Sequence, residues 1–87
     1  MKYKTVPGVI LTSVCGHNFL VSTRENIEVN ETVALCWKRL IQGADVNELV
    51  HFLETVYEET PQDVLQRDIH DLVESLTAKH LLMRNRL

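Results

Sequence analysis

Ile27-Glu28-Val29-Asn30-Glu31-Thr32-Val33-Ala34-Leu35-Cys36-Trp37-Lys38-Arg39-Leu40-Ile41-Gln42-Gly43 contains the point at which the chain changes its period. Ile27, Glu28 and Val29 alternate apolar and polar, the two-residue period of a strand with one buried face. Beyond them Val33, Ala34, Trp37, Leu40 and Ile41 recur in steps that gather on one side of a helix. Asn30 stands at the junction, where its side chain can accept from free backbone N–H groups, and Glu31 puts a negative charge in the first turn. Gly43 supplies the stop.

Upstream, Val9-Ile10-Leu11-Thr12-Ser13-Val14 is β-branched and apolar between Pro7-Gly8 and Gly16-His17-Asn18, which predicts a first strand. Phe19-Leu20-Val21-Ser22 returns as the second, through a loop built on Gly16 and Asn18, residues that tolerate positive φ. Ile27-Glu28-Val29 is then the third strand, reached through the polar Thr23-Arg24-Glu25-Asn26 connection.

Downstream, Asp45 with Glu48 three residues on reads as an acidic capping box for a second helix that buries Val46, Leu49, Val50, Leu53, Val56 and Tyr57. Thr60-Pro61 reads as a cap followed by proline at the first position of a third helix, whose core face is Leu65, Ile69, Leu72, Val73 and Leu76. Leu81, Leu82 and Met83 follow the stripe and read as a terminal strand-like or packed segment, the position of a wing in a winged-helix domain. The whole is predicted to be one α+β domain over residues 1–87, a three-stranded antiparallel sheet followed by three helices in a winged-helix-like order. Such a sheet leaves two edges with unpaired N–H and C=O groups.

The 87 residues give room for one core, and 45% hydrophobic with 24% charged residues is the composition of a folded chain. No apolar stretch approaches a membrane span or a signal-peptide core, so a cytoplasmic protein without membrane contact is expected. Cys15 and Cys36 lack the spacing of a disulfide framework and read as free thiols packed as small apolar groups. A net charge of −3 repels a phosphate backbone, which makes nucleic acid a poor partner. The basic cluster Lys79, His80, Arg84 and Arg86 reads as a solvated tail.

Chemistry finds no constellation. Cys15-Gly16-His17 is the one close pair of metal-ligand types, and structural zinc needs a second pair at fixed spacing. Cys36 beside Trp37 belongs to a packed helix face, carboxylates such as Glu54, Asp63 and Asp68 fall on polar faces and caps, and Gly8, Gly16 and Gly43 are too scattered for a phosphate loop. Neither catalytic residues, a metal site nor a cofactor is expected, and the chain reads as a non-enzyme.

The order of the helical features is more informative. Asn30-Glu31-Thr32 opens a helix containing Trp37; Gly43 precedes Asp45-Val46-Asn47-Glu48-Leu49; Tyr57 closes the second helix; Asp68-Ile69, Leu72-Val73, Leu76 and Leu81-Leu82 follow. From about Val9 to Met83 this resembles the PqqD-like peptide chaperones, or RiPP recognition elements. One departure is His80, where that family commonly has glycine before the paired aliphatic residues. The resemblance implies that a ribosomal precursor's leader peptide lies as an extra strand beside the third strand, at Asn26, Ile27, Glu28 and Val29. It also implies a groove walled by the third helix near Asp68 and Leu72, and a partner enzyme, often a radical SAM maturase, that performs the chemistry. Strand addition is physically suited to such an edge, since main-chain bonds give affinity and pockets for alternate side chains give specificity.

Two other classes compete. A winged-helix DNA-binding regulator would put Pro61-Gln62-Asp63-Val64-Leu65-Gln66-Arg67-Asp68 into the major groove, but one arginine against two aspartates is the wrong charge. A structural or dimerisation module without a peptide ligand is poorly separated by sequence, which leaves a homodimer open.

Overall fold

A computed structural model describes residues 2–85. The elements run β1 (Lys2–Thr5), β2 (Ile10–Val14), β3 (His17–Val21), β4 (Asn26–Val29), α1 (Glu31–Ile41), α2 (Val46–Val56), α3 (Gln62–Ala78) and β5 (Leu82–Asn85). Strands β2, β3 and β4 form the expected antiparallel sheet in chain order, and β1 pairs antiparallel with β5 in a second, two-stranded sheet. Of the strand-like and packed alternatives for Leu81-Leu82-Met83, Leu82 and Met83 take the first in β5, while Leu81 precedes the strand and is buried. The partner of β5, β1, was not foreseen.

The caps behave as their chemistry dictates in α1 and α2. The Val33 N–H donates to Asn30 Oδ1 and the Glu48 N–H to Asp45 Oδ1, each at 2.9 Å. The start of α3 corrects the sequence reading, because Thr60 makes no side-chain cap. Pro61 itself occupies the N-cap with an extended ψ of 145°, and its carbonyl accepts from the Val64 and Leu65 N–H groups.

At the other end of α3, His80 adopts a left-handed φ of 61°. Its N–H donates to the Thr77 carbonyl, while the Leu81 N–H reaches back to that of Leu76. These paired bonds make a Schellman ending, the conformation in which glycine is preferred. His80 adopts this conformation itself, so the helix ends here without a glycine.

The β2–β3 turn is a second correction. Cys15 (φ 51°) and Gly16 (φ 81°) are its two central residues, both at positive φ as a type I′ turn requires. Asn18 lies within β3 opposite Ser13, whose hydroxyl donates to its Oδ1 at 2.6 Å. Cys15 is therefore exposed and not packed, whereas Cys36 is buried.

The core joins Leu20 of the sheet to Trp37 and Leu40 of α1, Leu49 and Leu53 of α2, and Ile69 and Val73 of α3. Tyr3 from β1 and Leu82 from β5 enter the same cluster. Two residues assigned to the helical core faces are exposed: Ile41 at 58% and Val56 at 42%. Each is the last residue of its helix, where the final turn overhangs the core. The cluster Lys79, His80 and Arg84 is exposed, with Arg84 paired to Glu74 at 3.1 Å, and Arg86 lies outside the described residues.

Candidate functional site: the free edge of β4

β4 is bonded to β3 on one side, and among the described residues its other edge carries no strand. The Ser22 N–H donates to the Glu25 carbonyl at 2.8 Å, which marks their pair as a hydrogen-bonded one. Antiparallel ladders alternate bonded and non-bonded pairs. Along the register, Leu20–Ile27 and Asn18–Val29 are then bonded, while Val21–Asn26 and Phe19–Glu28 are not. The main-chain N–H and C=O groups of Asn26 and Glu28 consequently point away from β3, towards the free edge.

Side chains alternate independently of this. Ile27 and Val29 are half-buried and pack against the core, whereas Asn26 and Glu28 are exposed. The imidazole Nδ1 of His17 and the Glu28 Oε2 lie 2.6 Å apart, which ties the Glu28 side chain back onto β3.

Beyond the edge lies an open groove of about 480 Å³ between β4 and α3. Of the six expected residues, Ile27, Glu28, Val29, Asp68 and Leu72 line it together. Asn26 belongs to the strand but does not line the groove. Residues the sequence reading missed include Val33 at the base and Asp71, Ser75 and Lys79 on α3. The signal for the last three was present, because from Asp68 the steps 68, 71, 72, 75, 76 and 79 follow one helical face.

β4 and α3 run in opposite directions along the groove. Lys79 also lines a hollow with Ser22–Glu25, the turn that leads into β4. Asp68 shares a smaller hollow of about 210 Å³ with Thr32 and Tyr57, beyond the far end of β4. There the Thr32 and Tyr57 hydroxyls are bonded at 2.8 Å, closing α1 onto the end of α2. The groove is thus acidic at the Val29 end, apolar in the middle around Leu72, and basic at the Asn26 end.

Burial pushes the Cys36 thiol up to about 11, which keeps it protonated and weakly nucleophilic. Among the described residues no cluster of three or more His, Cys, Asp or Glu side chains is arranged to hold a metal ion, and no helix is long and apolar enough to cross a membrane.

A family model described as Coenzyme PQQ synthesis protein D (PqqD) matches residues 19–82. Comparison with curated protein sequences gives no match. Among solved structures, the lasso peptide synthetase B1 complexed with the leader peptide has 26% identity and a TM-score of 0.83, covering 97% of this chain and 100% of that one. TbiB1 in complex with the TbiA(beta) leader peptide has 20% identity and a TM-score of 0.82, covering 97% and 99%. The PqqD truncation of Methylobacterium extorquens PqqCD, a stand-alone RiPP recognition element, has 16% identity and a TM-score of 0.82, covering 95% and 89%. The last two likenesses concern the fold.

Proposed function

Because the chain belongs to the PqqD family, we propose that it is a peptide chaperone, which binds the leader segment of a ribosomally made precursor by strand addition to β4 and presents it to a modifying enzyme. The observation that carries this is the pair of outward main-chain stations at Asn26 and Glu28 beside a groove with an apolar floor. An added strand satisfies those donors and acceptors, and its alternate side chains enter the groove between Ile27, Val29 and Leu72. The similarity to a lasso peptide synthetase B1 solved with a leader peptide supports the same use of the fold.

In this role the chain acts as one 87-residue domain in the cytoplasm, without a cofactor of its own, and the chemistry belongs to its partner, such as a radical SAM maturase. Asp68 at the groove wall favours a leader carrying a basic residue. An NMR titration of the labelled protein with the cognate leader tests the proposal. Shifts are expected at residues 26 to 30 and along the groove face of α3. Shifts confined to β2 or α2 refute the site, and absence of binding refutes the function.

A further inference from the structure

The groove of β4 and α3 is electrically polar along its length, with Asp68 and Asp71 near one end and Lys79 at the other. All three side chains are exposed, and among the described residues none is engaged in an ion pair. Glu28, the other lining carboxylate, is held by His17. At the Lys79 end the turn adds Arg24 and Glu25, which offset each other. The gradient therefore belongs to α3 and runs from negative to positive along the helix.

Its direction relative to β4 turns the gradient into a sequence rule. β4 enters the groove at the Lys79 end and leaves it at the Asp68 end. The sheet is antiparallel throughout, and antiparallel pairing is the more stable per residue. A peptide added antiparallel to β4 runs in the same direction as α3, with its N-terminal part beside Asp68 and Asp71 and its C-terminal part beside Lys79.

Spacing follows from the two repeats. Residues 68 to 79 span about 16 Å of helix and 71 to 79 about 12 Å, at roughly 1.5 Å per residue. An antiparallel strand advances about 3.4 Å per residue, so these lengths correspond to between about 3.5 and 5 strand residues. Both charges must also project from the same face of the added strand, which requires an even separation. Four is the even number in that interval.

Resting on the strand-addition reading above, we propose that the groove selects peptides carrying a basic residue followed, four positions later, by an acidic one, with an apolar residue midway between them on the same face, against Leu72. The ligand class is thus a β-prone segment of defined charge order, which sets the direction in which it lies.

The test uses three end-blocked host peptides of about twelve residues, rich in threonine and valine, titrated beside the cognate leader. One has lysine at its fourth position and glutamate at its eighth, the second has the two exchanged, and the third has glutamine at both. The lysine-first peptide is expected to bind about tenfold more tightly than the exchanged one, with the amides of Ile27–Val29 shifting. In the Asp68→Lys, Lys79→Glu double variant, which keeps the net charge and alters exposed side chains, the preference should invert. If the leader binds at β4 but the two peptide orders bind equally, or the double variant keeps the original preference, the charge rule is overturned and strand addition stands. If neither the leader nor any host peptide shifts β4, both fall together.

Discussion

Trp37 has no exposed surface, and among the described residues its indole Nε1 finds no hydrogen-bond partner. Two opposed quantities therefore meet in one side chain: a large apolar burial, and an unsatisfied donor that costs about 1–3 kcal/mol. Trp37→Ala should destabilise by about 3–5 kcal/mol through lost burial and a cavity. Trp37→Phe retains most of the ring and removes the orphan donor, so its cost should stay near about 1 kcal/mol. Urea unfolding followed by circular dichroism measures both, since each variant removes the sole tryptophan and its fluorescence. Equal costs for the two variants would show that ring volume does not govern the position. The burial of Trp37 was legible because it sits at the centre of a helical stripe. The positive φ of Cys15 and His80 was not, because the conformation is imposed by a two-residue turn and a helix ending, and neither side chain advertises it. Ile41 and Val56 continued the stripes correctly in angle, but periodicity contains no information on where the facing element ends.

β4 couples sequence to function through two independent alternations, one of side chains and one of main-chain direction. Only the first can be read from residue types. Apolar Ile27 and Val29 identify the inner face, whereas the ladder phase that turns Glu28 N–H outward is fixed by the Ser22–Glu25 pair. Proline scanning separates the two. Glu28→Pro removes an outward donor and leaves the bonds to β3 in place, so leader affinity should fall roughly 3- to 10-fold with a stability loss of about 1 kcal/mol or less. Ile27→Pro breaks a bonded pair with Leu20 and removes a half-buried side chain, and should cost about 3 kcal/mol. Thermal unfolding and leader titration on both variants check the contrast, and strong unfolding by Glu28→Pro would reverse the assigned phase. The opposite wall was half legible. Asp68 and Leu72 follow from the family resemblance, while Asp71, Ser75 and Lys79 follow from them by helical steps, and they emerge as groove-lining residues only when α3 is seen to face β4.

At the scale of the molecule, the sheet and three helices were readable because each connection is short and each element carries its own period. The β1–β5 pair was not, since Lys2–Thr5 is too short to declare itself and its partner lies at the other end of the chain. Long-range pairing of this kind is set by the core, here through Tyr3 and Leu82. The same scale decides between a peptide and a nucleic-acid ligand for this helix-rich fold. A duplex demands neutralisation of several phosphates, and each contact adds steeply to the salt dependence. The chain offers a net charge of −3, and the first turns of α3 present Asp63 and Asp68 around Arg67. A leader peptide demands far less, because its main-chain bonds to β4 do not depend on net charge and its charged residues meet opposite charges locally. Duplex DNA should therefore give no sequence-selective shift at submicromolar protein and about 150 mM salt, where exposed charges more than about 8 Å apart are largely screened. Leader affinity under the same change from low salt should fall only a few-fold, since exposed ion pairs contribute about 0.2–1 kcal/mol each. Gel shift and calorimetry at two salt concentrations read both outcomes. A salt-resistant, sequence-selective DNA complex would transfer the function from the edge of β4 to the face of α3.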